Sequence, residues 1–269
     1  MAMEKKYEGV ADTLFIPLEG RIHVSRNFPD FFCDKRAIEL EPCIPSGSIR
    51  ATATQYQHFA AVCRCYNMDQ MVKDFLAKHA DTNVVYLGCG LETAYDRIGN
   101  RKAHFYQLDL PDVADARRKV LGCAANETII GGDLFDLHWT EVVDCTLPTI
   151  IIASGVFQYF ENEKTYQLVR TLKMHFPKGE LVFDITDKSG LNYVNRFVRK
   201  TGNASAMMYG YVDRTEDFTT ATGTWLVECR PFYVDARKRL RGRLRFSTRV
   251  MMWCADRMGR TKILHIRLC

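Results

Sequence analysis

Residues 84–93 read Val-Val-Tyr-Leu-Gly-Cys-Gly-Leu-Glu-Thr, and residues 104–112 read His-Phe-Tyr-Gln-Leu-Asp-Leu-Pro-Asp. Each stretch begins as an apolar run that is typical of a buried strand. The first run ends in the turn Gly88-Cys89-Gly90, and the second ends in Asp109, twenty-one residues after Gly88. In an open α/β sheet, two neighbouring strands that end this way form a pocket for a nucleoside, because the glycines let the backbone approach the ligand and the acid accepts hydrogen bonds from the ribose hydroxyls.

The position that follows this turn distinguishes two kinds of nucleotide ligand. A dinucleotide site has a third glycine three residues after the second, where the helix packs closely and directs its N terminus at a pyrophosphate. Thr93 occupies that position here. The ligand is therefore expected to be a nucleoside without a pyrophosphate, of which S-adenosylmethionine is the commonest. A tight strand-to-helix connection without a ligand and a nicotinamide-dependent oxidoreductase are the alternatives.

The composition is that of an ordinary globular protein. The chain has 269 residues, of which 47% are hydrophobic, with a net charge of +5 and ten cysteines. This length suits one large α/β domain, alone or with a helical extension. The sequence contains no apolar run of the roughly 20 residues that span a bilayer, and its charged first residues lack the apolar segment of a signal peptide. We therefore expect a cytoplasmic protein with reduced thiols and no membrane partner.

Basic residues concentrate in one stretch, with six of them between positions 237 and 245. Leu240 and Leu244 recur among them at helical spacing, which is typical of a solvated basic helix face; a surface that attracts acidic substrates or a partner is the alternative. We find no recognisable nucleic-acid module in the sequence, so no nucleic-acid partner is expected. Cys63 and Cys65 lack a matching second pair, so no metal is expected.

Strand and helix alternate five times along the chain, which predicts an α/β fold with a doubly wound parallel sheet. Residues 1–60 have several prolines and little regular pattern, and we expect them to form an N-terminal helical cap on a Rossmann-like core of residues 61–269. Within the core, residues 188–225 break the alternation, as expected of an insert that covers the substrate. Residues 262–267 alternate like a final edge strand.

A sheet of this kind binds its ligand at the carboxyl ends of its strands. The predicted strands end at Gly88, Gly90, Asp109, Asp133, Ser154, Gly155 and Asp184. Arg64 joins this set from the preceding helix, where it shares an apolar stripe with Met68 and Met71. A guanidinium that faces inward needs an anionic partner, whereas the alternative is an arginine that extends past its neighbours to solvent.

Several short motifs occur in an order that resembles one known family. Residues 13–21 read Thr-Leu-Phe-Ile-Pro-Leu-Glu-Gly-Arg and residues 34–39 read Asp-Lys-Arg-Ala-Ile-Glu. The glycine turn within residues 87–93, the Asp-Leu-Pro-Asp of residues 109–112 and the stretch 252–268 complete the series. Together these motifs are similar to the leucine carboxyl methyltransferase family, in its bacterial polyketide-type O-methyltransferase branch. The resemblance covers nearly the whole chain.

This resemblance implies a class I methyltransferase fold, of the Rossmann-like type, with S-adenosylmethionine as the methyl donor. It implies that Arg64 binds the methionine carboxylate with assistance from Arg21. It also implies that Gly88 and Gly90 lie under the methionine and the ribose, and that Asp109 binds the ribose hydroxyls.

The adenine end and the fourth strand complete the implied cofactor site. Asp133 and Leu134 are implied to hold the adenine, and Ser154 and Gly155 are expected beside the donor at the end of the fourth strand. Many relatives have glutamate where this chain has Ser154. The serine leaves this chain without a carboxylate beside the sulfonium of the cofactor. A methyltransferase-like protein that binds the cofactor without turnover is therefore an alternative hypothesis.

The leading hypothesis for function is O-methylation of a carboxylate on a small, polyketide-like molecule. The predicted strand ends carry no histidine, and a carboxylate with a pKa of about 4 needs no general base at neutral pH. Ser154, Gln158 and Tyr159 are expected to orient the acceptor. Tyr159 or a basic residue of the insert, Arg196 or Arg199, is the candidate for gripping its carboxylate. The oligomeric state stays open.

Overall fold

The computed structural model describes residues 10–43, 53–100, 102–201 and 207–269. Its helices are α1 (Val10–Asn27), α2 (Lys35–Glu39), α3 (Gln55–Leu76), α4 (Ala94–Ile98), α5 (Pro111–Leu121), α6 (Asn162–His175), α7 (Lys188–Thr201), α8 (Thr215–Thr222), α9 (Val234–Arg239) and α10 (Phe246–Arg257). Its strands are β1 (Asn83–Leu87), β2 (His104–Asp109), β3 (Glu127–Gly131), β4 (Thr149–Ala153), β5 (Gly179–Thr186), β6 (Trp225–Pro231) and β7 (Thr261–Arg267). Short 3₁₀ helices cover Glu41–Cys43, Leu137–Val142 and Phe157–Tyr159.

The seven described strands form one sheet in the order β3-β2-β1-β4-β5-β7-β6. Strands β1 to β5 run parallel, whereas β7 runs antiparallel to both β5 and β6. All residues of β1 and β4 are buried, as expected of parallel strands that are covered by helices on both faces. The predicted doubly wound α/β sheet is thus confirmed for its five parallel strands.

The expectation that residues 262–267 form a final edge strand is wrong. This segment is a strand, but it lies between β5 and β6, and β6 is the edge. Its buried run Ile263–Ile266 is typical of an interior strand. We did not anticipate β6, because its first residues are exposed and a bulge between Leu226 and Glu228 interrupts any alternation. The expected insert contains α7 and α8, and its last residue, Trp225, begins β6.

The strand order determines where a ligand can bind. From β1 the chain proceeds outward through β2 and β3 on one side, and through β4 and β5 on the other. The loops that follow β1 and β4 therefore diverge and leave a crevice at the carboxyl edge of the sheet. These are the loops that carry the glycine turn and Ser154.

Helix α3 connects the N-terminal helices to this crevice. Thr54 caps it through a reciprocal pair of hydrogen bonds with Gln57, and the helix then runs unbroken to Leu76, across position 60. Its apolar stripe is buried against the sheet, including Met68 and Met71. The division into a cap and a core at residue 60 stays a prediction. No helix in the described ranges is long and apolar enough to cross a membrane.

Candidate active site

A two-chambered cleft lies at the carboxyl edge of the sheet. The first chamber, of about 290 Å³, is lined by residues from α1, α3 and the loops after β1 and β4. The second chamber, of about 390 Å³, is lined by the ends of β2 and β3 and by the loop after β4. The two chambers adjoin, because both are lined by Leu14, Gly88, Gly155 and Tyr159.

The turn after β1 has a backbone conformation that favours glycine. Gly88 and Gly90 have φ values of 62° and 47°, in the left-handed region that other residues rarely adopt. A Cβ atom on Gly88 would lie 2.7 Å from Val156 Cγ2, and one on Gly90 would lie 2.8 Å from Leu14 Cδ2. The backbone conformation thus favours glycine at both positions, a side chain at either would also displace Val156 or Leu14, and the turn lies in the wall of the first chamber.

Asp109 links the ends of β1 and β2. Its Oδ2 accepts a hydrogen bond of 2.7 Å from the backbone N–H of Gly90, and its Oδ1 accepts one of 2.8 Å from Leu110. Burial raises the pKa of this carboxyl, and the two backbone donors counteract that effect. Asp109 lines the second chamber together with Gly88 of the glycine turn. Each of its oxygens keeps a further lone pair with which to accept a ligand hydroxyl.

The far end of the second chamber is apolar with one exposed carboxylate. Asp133 accepts from the N–H of Phe135 at 2.9 Å, and Leu134 lies between them in the chamber wall. The rings of Phe135 and Phe160 meet edge to face at 4.7 Å, and Lys164 Nζ lies 4.0 Å from the centre of the Phe135 ring. Sequence reasoning did not select these last three residues, because they belong to separate loops and a helix.

Arg64 extends from α3 into the wall of the first chamber, so the alternative of an arginine that reaches past its neighbours to solvent is wrong. Its side chain is 15% exposed, and Nη1 donates to Asp184 Oδ2 at 3.2 Å. Burial disfavours the guanidinium charge, but the Asp184 carboxylate and other neighbours outweigh this and raise the pKa of Arg64. The anionic partner that the sequence required is thus a residue of the chain itself.

Arg21 makes more hydrogen bonds and ion pairs within the protein than the resemblance implied. It is 2% exposed, and its Nη1 lies 3.1 Å from both Asp34 and Glu92 and 2.5 Å from Thr93 Oγ1. Its Nη2 donates to the carbonyl oxygen of Leu91 at 2.7 Å. Although Arg21 lines the first chamber, its guanidinium therefore anchors the loop that follows the glycine turn, and its contact with a ligand stays a prediction.

Thr93 belongs to a buried ionic network that sequence reasoning missed. Its hydroxyl lies 2.6 Å from Asp34 Oδ2, at the position where a dinucleotide site has its third glycine. Arg97 pairs with Asp34, Asp69 and Glu92 at 2.5–2.9 Å. Despite their burial, the nearby arginines lower the pKa of Asp34 and hold that of Glu92 well below its usual range. A short sequence motif could not reveal this network, because its members come from four separate segments.

Arg117 supports the glycine turn from behind. It is 2% exposed, and its Nη1 donates to the carbonyl oxygens of Gly90 at 3.0 Å and Glu92 at 2.7 Å. Its Nη2 pairs with Glu127 at 3.1 Å. A buried arginine on the inner face of α5 was not anticipated from the sequence, where it stands in a run of three basic residues.

The expected acceptor-side residues divide into two groups. Ser154 and Tyr159 line the first chamber, and burial raises the pKa of the Tyr159 hydroxyl. From the expected insert, Met208 lines this chamber as well. Arg196 is exposed on α7 and lines neither chamber, and the side chain of Arg199 lies outside the described residues. Within the described ranges, no cluster of three histidine, cysteine or acidic side chains could hold a metal ion.

A mixed sheet in this order, with β7 antiparallel, a glycine turn after β1 and an acid at the end of β2, fits the Rossmann-like fold of the class I S-adenosylmethionine-dependent methyltransferases. Residues 28–173 match the model of the family described as leucine carboxyl methyltransferase, and the chain belongs to this family.

Individual relatives agree with this class. The chain is 24% identical over 235 residues to the tetracenomycin polyketide synthesis O-methyltransferase TcmP of Streptomyces glaucescens, covering 85% of this chain and 87% of that protein. A DUF574 family protein from Streptomyces avermitilis has a similar structure, with a TM-score of 0.57 and 14% identity over 93% of this chain and 96% of the other. A geranyl diphosphate methyltransferase in complex with S-adenosylmethionine has a TM-score of 0.51 and 10% identity, over 80% and 90% of the two chains. These structural likenesses concern the fold.

Proposed function

We propose that this methyltransferase binds S-adenosylmethionine along the two-chambered cleft and forms a methyl ester on the carboxylate of a small, polyketide-like molecule. One observation carries the proposal: a cation in the first chamber, Arg64, and a diol acceptor in the second, Asp109, lie on either side of the glycine turn. A cofactor with a carboxylate at one end and a ribose in its middle matches this order of groups.

The side chains fit such a cofactor at each of its parts. Arg64 Nε is buried without a hydrogen-bond partner in the described residues, so the guanidinium keeps donor capacity for a carboxylate. Asp109 retains acceptor capacity for the ribose hydroxyls. Leu134 and Phe135 offer apolar surface to an adenine ring, and Asp133 offers an acceptor to its amine. The second chamber, of about 390 Å³, lies within the range of small-molecule sites, roughly 300–1,000 Å³, and the first, of about 290 Å³, lies just below it.

Bound S-adenosylmethionine supplies an electrophilic methyl group, and the chain has to hold an acceptor oxygen in line with it. We assign this orientation to Tyr159 and Ser154, because both line the first chamber and Tyr159 reaches both chambers. The walls of the first chamber also include Leu14, Ile16 and Met208, which exclude water from an apolar acceptor. Correct placement of two reactants can lower a barrier by roughly 7–11 kcal/mol.

The described residues of the two chambers offer no histidine or other free general base, which favours a carboxylate acceptor. Among the described residues that line the two chambers there is no histidine. Glu92 is engaged by arginines, Asp109 holds the glycine turn, and the raised pKa of Tyr159 makes its phenolate a rare species. A carboxylate is already ionised at neutral pH, whereas a phenol with a pKa of about 10 needs a base. The description of the family names a carboxyl methyltransferase, and the relative is named as an O-methyltransferase of polyketide synthesis, which supports an oxygen acceptor on a polyketide-like molecule.

The grip on the acceptor carboxylate and the cellular location remain parts of the proposal. Tyr159 is the stronger candidate for the grip, because Arg196 lines neither chamber. A cytoplasmic location stays a prediction from the sequence.

The test combines binding with product chemistry. Calorimetry is expected to give micromolar-scale binding of S-adenosylhomocysteine and no measurable binding of NADH. Incubation with methyl-labelled S-adenosylmethionine and a panel of aromatic and aliphatic carboxylic acids is expected to give a product that releases labelled methanol in mild alkali. A product that survives alkali would replace the ester with an ether. Tighter binding of NADH than of adenosylhomocysteine would refute the cofactor assignment.

A further inference from the structure

Asp184 joins three elements behind the first chamber. It belongs to β5, is 6% exposed, and accepts with both of its oxygens. Oδ1 accepts from the backbone N–H of Gly155 at 2.5 Å, and Oδ2 accepts from Arg64 Nη1 at 3.2 Å. A single carboxylate thus fixes the loop after β4 and the guanidinium from α3 relative to each other.

Gly155 completes this arrangement by its lack of a side chain. A Cβ atom at this position would lie 2.6 Å from Arg64 Nη1 and 3.0 Å from its Cζ, so the guanidinium packs directly on the glycine backbone. Gly155 also has a φ of 72°, which disfavours any other residue. The guanidinium is therefore held from two directions, by the Asp184 carboxylate and by the surface of the loop.

Asp184 acts from behind Arg64. The described residues that line the two chambers include Arg64 and Gly155 but not Asp184. The carboxylate occupies Nη1, whereas Nε is buried and has no hydrogen-bond partner within the described residues. An arginine side chain has several rotatable bonds, and a guanidinium that is already oriented loses less entropy when it binds. Without its partner, the same cation would be nearly buried and uncompensated.

We propose that Asp184 is a positioning residue that orients Arg64 toward the α-carboxylate at the amino-acid end of the cofactor. The inference rests on the proposed binding of S-adenosylmethionine in the first chamber, and it concerns only the carboxylate of that ligand. The contribution of Asp184 to affinity depends on the ligand carboxylate, because Asp184 acts through Arg64. A role limited to folding would affect all ligands of the cleft equally.

The test compares three adenosine ligands on one variant, Asp184→Asn. This substitution removes the charge but keeps an acceptor for the Gly155 N–H. The ligands are S-adenosylhomocysteine, its decarboxylated analogue, which keeps the amine, and 5′-methylthioadenosine, which lacks the amino-acid group. Calorimetry is expected to give roughly tenfold weaker binding of S-adenosylhomocysteine, the size of a typical coupling between neighbouring groups. Binding of the other two ligands is expected to change by less than about twofold.

A matched control is available on the same strand. Glu180 also lies on β5, where its Oε2 pairs with His265 Nε2 at 2.7 Å, and it lines neither chamber. Glu180→Gln removes a partly buried carboxylate from an ion pair, as Asp184→Asn does, and it is expected to leave the ratio of the three affinities unchanged. The KM for S-adenosylmethionine is expected to rise in Asp184→Asn with a smaller change in kcat, and Asp184→Glu is expected to restore part of the affinity.

Three outcomes would overturn the inference. Equal weakening of all three ligands would assign Asp184 a structural role only. Equal weakening of S-adenosylhomocysteine and its decarboxylated analogue would mean that Asp184 binds the amine instead. Unchanged affinity for S-adenosylhomocysteine would remove any role in binding. Wild-type protein that binds none of the three ligands would instead refute the proposed function, on which this inference depends.

Discussion

Arg117→Met is a substitution for which the structure predicts a large loss of stability near the site. Arg117 is 2% exposed and holds the carbonyl oxygens of Gly90 and Glu92 together with the carboxylate of Glu127. Methionine fills a similar volume but cannot donate to any of these oxygens. The substitution therefore isolates the effect of the guanidinium from that of packing.

The expected loss of stability follows from Glu127, the ion-pair partner that remains in the variant. The side chain of Glu127 is 7% exposed, so removal of Arg117 leaves its carboxylate without a counter-charge in a poorly hydrated position. Loss of one partner from a buried ion pair typically costs about 3–5 kcal/mol. For a domain of this size, each kcal/mol lowers Tm by roughly 2–4 °C, which gives a decrease of roughly 6–20 °C.

The assay is chemical denaturation together with thermal melting of the wild type and of Arg117→Met. Lys119→Met is the matched control, because Lys119 is exposed on the same helix and its replacement is expected to change the free energy of unfolding by less than about 0.5 kcal/mol. Binding of S-adenosylhomocysteine should weaken in Arg117→Met, since the glycine turn loses two anchors. Equal stability of the two variants would refute the reasoning, because Arg117 would then contribute no more than a surface charge.

A double variant tests the electrostatic part of this argument. Arg117→Met with Glu127→Leu removes both charges, and a buried ion pair can often be replaced by apolar residues at little cost. We therefore expect the double variant to be more stable than Arg117→Met alone. A further loss would mean that Glu127 stabilises the fold independently of Arg117.

Three other predictions concern the cleft and the pH dependence. Asp109→Ala and Arg64→Ala are each expected to weaken binding of S-adenosylhomocysteine by about 2–4 kcal/mol in calorimetry, with the exposed Asp112→Ala as a neutral control; unchanged affinity with a lower Tm would make either residue structural. The methylation rate is expected to be nearly flat from about pH 6 to 8.5, since the acceptor is already ionised, whereas a tenfold rise per pH unit would indicate a hydroxyl acceptor. Burial and His23 lower the pKa of His58 from 6.5 to about 4, so the unfolded chain binds more protons at this residue than the folded chain does. The neutral His58 therefore contributes to the free energy of unfolding above pH 6.5, and this contribution is lost as the pH falls toward 4. In urea titrations across this range, the free energy of unfolding should depend less on pH in His58→Gln than in the wild type. The control His138→Gln, whose imidazole is 80% exposed, should not show this decrease, and equal behaviour of the two variants would contradict the assignment.

Local signals explain what could be predicted from the sequence. The glycine turn and Asp109 are each recognisable because their chemistry depends on residues within one strand and one turn. The helical stripe indicated an inward-facing Arg64 but left open the alternative of an arginine that extends to solvent. These features required no knowledge of distant contacts, and the strand ends that they predicted do lie along one edge of the sheet.

Contacts between distant segments explain what could not be predicted. Arg64 and Asp184 are 120 residues apart in the chain, and Arg21 is 72 residues from Thr93. Arg117 resembles its basic neighbours in the sequence, and only the packing of α5 distinguishes its buried position. The order of β6 and β7 was not predictable either, because a strand pattern indicates burial but not which strand lies beside it.

The position of β7 has a consequence for the order of events during synthesis. In the described sheet, β6 pairs with β7 alone, and β7 is also the neighbour of β5. Until residues 261–267 leave the ribosome, β6 has no partner, and the strand that carries Asp184 presents an open edge to other nascent chains. Unpaired strand edges promote aggregation. A deletion within residues 261–267 is therefore expected to expose two unpaired strands at once, so that such a truncated chain accumulates in the insoluble fraction even though its cofactor residues are intact.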